Sequence, residues 1–198
     1  MGIMIRLNRP ECPNPQALEN EDYKYRENKQ ALRHASHDKC MYCESKISHI
    51  DYAHVEHIKP KADNKFPELK FDWDNLGYSC PKCNNAKSDK YDINTPFIDP
   101  YAENPEEYIF VFGSLLFPRN GSERGDLTIS EIELNRGDLI EKRQTRIDNI
   151  TKTLKVCFRT NNDDLRNNAM ESLRVEGNAD KEYSLVVNAF IKANDRRR

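Results

Sequence analysis

At 198 residues the chain can bury one generous hydrophobic core, or a smaller domain with an appendage, so its fold needs no disulfide framework. A formal charge of −2 with 32% charged residues excludes a uniformly basic nucleic-acid coat and confines any hold on phosphates to local clusters. The longest apolar run, YIFVFGSLLF at 108–117, is too short to span a bilayer, and the N-terminus lacks an apolar signal core, so a reducing cytoplasm is expected.

The opening NRPECPNPQ, punctuated by prolines, reads as an extended arm, and EDYKYRENKQALRHASHDK then has helix-forming composition, placing a helix near 21–36. Residues 40–90 form a compact unit with a strand over 52–58, closed by Pro60, and a long polar loop to Asn75. Downstream, Gly113-Ser114 between YIFVF and LLF predicts a type II′ hairpin. From Asp138 the apolar positions Ile140, Ile147, Ile150, Leu154 and Cys157 recur at helical spacing, and two shorter helices follow over 162–174 and 180–193. This divides the chain into an arm and helix (1–38), a central unit (39–92), and a hairpin with a helical appendage (93–198). There is no internal repeat and no phosphate-binding P-loop motif.

Four of six cysteines fall in two Cys-x-x-Cys pairs, Cys40 with Cys43 and Cys80 with Cys83, leaving Cys12 and Cys157 as singles. Four thiolates on two short turns suit a tetrahedral structural Zn²⁺. A redox reading would have to explain two pairs separately, and neither follows a βαβ pattern. The 36 residues from Glu44 to Ser79 exceed the roughly 15–20 of an ordinary zinc ribbon, so the insert carries something else. Zinc would clamp its ends and offset the entropy of closing so long a loop.

That insert holds His54-Val55-Glu56-His57, open to two enzymatic readings. A zinc nucleobase deaminase uses His-x-Glu followed by Pro-Cys-x-x-Cys; here Ser79 replaces the proline, Cys40 and Cys43 are idle, and His57 has no role. Alternatively, the acid-His dyad Glu56-His57, Asn75 in DWDNL and Asn84 directly after Cys83 come in the order of a nuclease signature. On these residues the chain resembles the HNH (ββα-metal) endonucleases with a four-cysteine zinc site. The resemblance implies an α+β fold, a ββα-metal core stapled by zinc. It also implies that His57 is a general base, that Glu56 and Asn84 are ligands of a catalytic cation, and that Asn75 braces the loop behind the histidine. Many relatives carry His at the position of Asn84 and Asp at that of Glu56, and Asn85 competes with Asn84 by one residue.

The chemistry agrees. Phosphodiester hydrolysis needs a nucleophile made from water and neutralisation of charge on the scissile phosphate. An imidazole serves as the base, and carboxylate plus amide oxygens favour Mg²⁺ or Mn²⁺ while thiolates keep Zn²⁺. On a regular strand, however, Glu56 and His57 point to opposite faces, so the strand is expected to bend, bulge or end at the dyad, letting both reach a phosphate across its edge.

His54 is either a packed histidine beneath the site or a direct participant, and Lys87, one turn beyond Asn84, is either a phosphate contact or a solvated lysine. His34, His37 and His49 are read as solvated, and Trp73 as a core plug for the loop rather than a base-stacking platform. Lys59, Lys61, Lys65 and Lys70 are diluted by Asp63, Glu68, Asp72 and Asp74, so strong stand-alone duplex binding does not follow.

Beyond the dyad and cysteines, FIDPYAENPEEY and LTISEIELNRGDLIEKR make residues 1–150 similar to the HNH subunits of the Septu antiphage defence system, also found with retrons. That resemblance implies a bacterial nuclease working with a separate ABC- or SMC-type ATPase and acting on invading DNA, with RNA such as tRNA as the alternative. A non-catalytic zinc scaffold is the third reading. The arm and the helical tail, with its terminal DRRR, are the candidate docking surfaces.

Overall fold

The computed structural model describes residues 6–47, 52–159 and 161–195. His49, the three terminal arginines and the side chain of Cys157 lie outside the described residues.

Helix α1 (Pro15–Glu19) starts where the Asn14 side chain accepts from Ala17 N and proline occupies the first helical position, where its missing N–H costs nothing. Helix α2 (Arg26–Ala35) lies inside the expected 21–36 span. The arm is packed against the core: Leu7, Ala17 and Leu18 are buried, and Leu7 N donates to Pro100 O at 2.8 Å. The Arg9 guanidinium donates to the carbonyls of Trp73 and Asp74 and lies 4.0 Å from the Tyr101 ring centre. Asn8, Glu11, Pro13 and Gln16 of the arm remain exposed.

A turn follows at the first cysteine pair, with Glu44 in the left-handed region at φ 60° and a bridge between Lys39 and Lys46. Strand β1 (His54–His57) pairs antiparallel with β2 (Leu76–Ser79), His54 opposite Ser79 and His57 opposite Leu76, and helix α3 (Pro81–Lys87) packs back on β1. The α3 start repeats the α1 logic, with Cys80 at the N-cap and Pro81 at the first position. All four residues of β2 are buried, and Gly77 has no room for a Cβ because the Met41 sulfur fills that space. These elements are the ββα core, in an α+β fold.

Strands β3 (Ile109–Phe112) and β4 (Leu115–Pro118) form the expected hairpin; Gly113 alone of the two turn residues has positive φ, at 61°, as type II′ requires. Helix α4 (Glu123–Glu131) was not expected from sequence; Ser122 caps it by accepting from Gly125 N, and it packs on β4. Helices α5 (Gly137–Arg159), α6 (Asp163–Val175) and α7 (Ser184–Asp195) complete the appendage.

The buried α5 stripe is Leu139, Arg143, Ile147, Ile150 and Leu154; Ile140 is only half-buried, and Arg143 enters the core because its guanidinium donates to Leu134 O at 2.8 Å. One core joins Leu7, Leu32, Tyr78, Ile98, Leu139 and Val186, drawing on all three parts of the chain, and a smaller one forms where Leu154, Met170 and Val187 meet. Among the described residues no helix is long and apolar enough to cross a membrane.

Candidate active site

The two Cys-x-x-Cys turns converge. The Sγ atoms of Cys40, Cys43, Cys80 and Cys83 all lie within 4.8 Å of one another, with Cys43 and Cys80 at 3.9 Å. A tetrahedron with Zn–S bonds of about 2.3 Å has edges of about 3.8 Å, so four sulfurs at this spacing fit zinc. Arg136 Nη1 donates to Cys83 Sγ at 3.4 Å and Ser79 Oγ lies 3.6 Å from Cys40 Sγ, partners that suit electron-rich sulfur. Among the described residues the cluster is made of four sulfurs and no histidine, which is not the three-ligand set with an open position that a deaminase needs.

The insert between the turns builds one wall of a cleft of about 1210 Å³, lined by Tyr23, His54, Glu56, His57, Lys61 and Asn84 among others. Every residue from Ala53 to His57 reaches it. The β1 ladder runs unbroken through His57, and Ile58 N continues it to Asn75 O at 2.9 Å. There is no bulge; β1 instead ends at His57, another of the three forms expected. Because consecutive side chains alternate, the cleft must run along the free edge of β1, where Glu56 from one face and His57 from the other both reach it. The strand's end at the dyad is thus as expected, and its last two residues line the cleft from opposite faces.

His57 is 6% exposed. Its Nε2 lies 3.0 Å from Lys70 O, and since a carbonyl only accepts, that nitrogen carries the proton and Nδ1 keeps the lone pair. Burial, helped by Lys61, Lys87 and Lys70, pulls its pKa down to about 4, against the weaker upward pull of the carbonyl bond, so the ring is neutral at neutral pH. Asn75 sits behind it: Oδ1 accepts from Lys59 N at 2.7 Å, and Nδ2 donates to the carbonyls of Lys59 and Leu69, both at 3.0 Å.

Glu56 is buried on the opposite face of β1. Its Oε1 meets Lys87 Nζ at 2.8 Å and the Tyr42 hydroxyl at 3.4 Å, while Oε2 accepts from Asn84 Nδ2. Burial raises its pKa, opposed by Lys87, Asn84 and Tyr42. Asn84 Oδ1 in turn accepts from His54 Nδ1 at 3.0 Å. A half-turn of the Asn84 amide would set its oxygen beside Glu56 Oε2 and its NH₂ toward His54. The donor set, one carboxylate and one amide oxygen, then fits an oxygen-preferring dication. Asn85 is exposed on the same cleft, and Asn84 is the one that touches Glu56.

Lys87 is neither solvated nor at the cleft; it is 1% exposed and spends its charge on Glu56 and the His57 carbonyl. His34 and His37 are exposed, and Trp73 packs against the core with Nε1 donating to Pro10 O at 2.8 Å. Sequence reasoning missed Tyr23, whose ring meets that of His57 edge-on at 4.7 Å. No motif marks it, because it comes from the turn before α2 and reaches the cleft only through tertiary packing.

A four-sulfur cluster that fits zinc, a ββα core and an acid, a histidine and an asparagine lining one cleft are the features of the HNH class, and the description "HNH endonuclease" matches residues 40–90 as a family. The chain belongs to that family. Over 147 residues it is 30% identical to a Vibrio cholerae protein named "Retron Vc95 putative HNH endonuclease", covering 67% of this chain and 69% of that one. It is 31% identical over 148 residues to the Septu protein PtuB of Bacillus thuringiensis, covering 68% of this chain and 56% of the relative. With PtuB of Bacillus mycoides it shares 28% identity over 152 residues, covering 62% and 52%. The chain thus spans about half the length of the two PtuB relatives it matches.

Proposed function

We propose that this protein is a metal-dependent endonuclease that hydrolyses phosphodiester bonds, with DNA as its substrate, acting as the effector of an antiphage defence assembly that includes a separate ATPase. Residues 39–92 carry the chemistry in this reading, and the flanking parts hold them and offer surfaces to the partner. The observation that carries it is the pinned tautomer of His57: Nε2–H is committed to Lys70 O, and the Nδ1 lone pair belongs to a ring that lines the cleft with Glu56 and Asn84.

His57 takes a proton from water at Nδ1, and its low pKa keeps that site vacant of protons at neutral pH. Glu56 and Asn84 would hold Mg²⁺ or Mn²⁺, which when bound neutralises charge on the scissile phosphate and the leaving oxygen. Lys87 fixes the Glu56 carboxylate and the His57 backbone from below. Asn75 fixes the loop that bears the Lys70 carbonyl, and so the imidazole's orientation. The cysteine cluster holds both ends of this wall and takes no part in the reaction.

The test incubates the purified protein, with and without its ATPase partner, with plasmid and with tRNA in Mg²⁺, Mn²⁺ or EDTA. Plasmid cleavage that needs the dication and is lost in His57→Ala, with zinc content retained, supports the reading. Cleavage of tRNA alone moves the substrate to RNA, and antiphage protection undiminished in His57→Ala leaves only a scaffold.

A further inference from the structure

The Lys61 ammonium lies in the cleft with two neutral partners: its Nζ donates to the Tyr23 hydroxyl at 3.1 Å and to His57 Nδ1 at 3.4 Å. It also stands 4.6 Å from the Tyr23 ring centre. Asp63 and Asp89 line the same cleft, yet among the described residues Lys61 pairs with no carboxylate. Tyr23 is held in place by edge contact with His57 and by a tilted contact with Phe71 at 6.2 Å, so the oxygen that receives the lysine is a fixed feature of the wall. A half-buried cation without a counter-charge is poised for an anion. The nitrogen it covers is the one that takes the proton in the nuclease reading.

We infer that Lys61, parked between Tyr23 and His57, is a phosphate-triggered gate: an incoming backbone phosphate draws the ammonium off the Nδ1 lone pair and uncovers the imidazole. A hydrogen bond from ammonium to a phosphate oxygen is charge-assisted on both sides and roughly twice as strong as one to a neutral acceptor, so the exchange runs toward phosphate whenever the cleft is filled. Without nucleic acid the lysine returns to its two neutral partners and the imidazole is capped. Lys61 is a positioning residue here, and its effect passes through His57. The inference rests on the nuclease reading for what His57 does next, though not for the exchange of partners.

The test therefore reads binding and the ring nitrogen rather than turnover. The full chain, zinc-loaded and without added Mg²⁺ or Mn²⁺, is titrated with a short fluorescein-labelled DNA duplex, and the His57 ring is followed by ¹⁵N NMR. Lys61→Met should weaken binding about tenfold or more, as loss of a charge-assisted contact predicts, while Lys61→Arg stays near wild type. Lys152→Met, an exposed lysine on α5, is the control for general electrostatics. In the wild type the Nδ1 resonance should move when DNA is added; in Lys61→Met the free protein should already show the moved position. Equal losses in Lys61→Met and Lys152→Met, or an Nδ1 resonance that ignores the Lys61 substitution, would overturn the gate. If no dication ever yields cleavage while these shifts appear, the nuclease reading fails and the gate stands; cleavage without the shifts is the reverse.

Discussion

The Lys87 ammonium lies 2.8 Å from the Glu56 carboxylate in a pair whose side chains are 1% and 2% exposed. The same nitrogen donates to the His57 carbonyl at 2.8 Å, so one lysine on α3 holds two adjacent residues of β1. Two charges so deeply buried survive only because each has the other. Lys87→Met removes the partner and strands a carboxylate, and should cost about 3–5 kcal/mol in urea denaturation. Lys82→Met, also on α3, breaks a more exposed pair with Asp138 of α5 and should cost under about 1 kcal/mol. Comparable losses would show that the buried pair has no special weight.

Asn75 makes three hydrogen bonds to the backbone on either side of the loop, and no water-filled space is needed to explain any of them. Asn75→Ala leaves Lys59 N and two carbonyls without their partner, a loss of about 2–3 kcal/mol. Since Lys70, which holds the imidazole, neighbours Leu69, hydrogen exchange over residues 58–75 should rise more than in α5. Uniform protection across both segments would mean that Asn75 does not brace the loop.

Much of this was legible before the fold was known, for reasons that differ by residue. Cysteine spacing announces itself, because metal geometry demands two ligands per short turn, and the Gly113-Ser114 hairpin follows from one backbone angle. The fate of Lys87 was not legible: spacing places it one turn from Asn84, but only packing decides whether it points to solvent or inward to Glu56. Tyr23 and the α4 helix were hidden for the same reason, since their contacts are long-range and their local composition is ordinary. That β1 stops at the dyad was legible from Pro60 three positions on, whereas a cleft lined by every residue from Ala53 to His57 was not.

The depressed pKa of His57 has a sign that can be checked. The unfolded ring takes a proton near pH 6.5 and the folded one only near 4, so between those values the unfolded state binds more protons and stability rises with pH. The contribution is complete above about 6.5 and is lost as pH falls toward 4. Urea midpoints should therefore drop between pH 7 and pH 5 more steeply in the wild type than in His57→Gln, and the ring should remain neutral by NMR at pH 5.5. A ring that titrates near 6.5 would show that burial does not govern it.

Zinc should reach further than its own ligands. Directly after Cys43, the Glu44 carboxylate accepts from Ser184 Oγ at 3.2 Å and from Leu185 N at 3.3 Å, the first turn of α7. Ser45 Oγ lies 2.8 Å from the Tyr183 hydroxyl, and Lys46 N donates to the Glu182 carboxylate at 2.7 Å. The buried Lys39 completes the joint by donating to Lys181 O at 2.9 Å. An α7 start held by groups flanking a zinc ligand should loosen when the metal leaves, because the turn that presents Glu44 and Ser45 is then no longer closed at Cys40 and Cys43. Cys80→Ser, or chelation of the wild-type protein, should raise hydrogen exchange at residues 184–195 together with that of the ββα core, while α4, which packs on the hairpin, keeps more of its protection. Glu44→Ala should loosen α7 by itself and leave the zinc content at one ion per chain. Protection of α7 that persists through metal removal would separate the appendage from the zinc site, and the tail would then have to be held by its own small core of Leu154, Met170 and Val187.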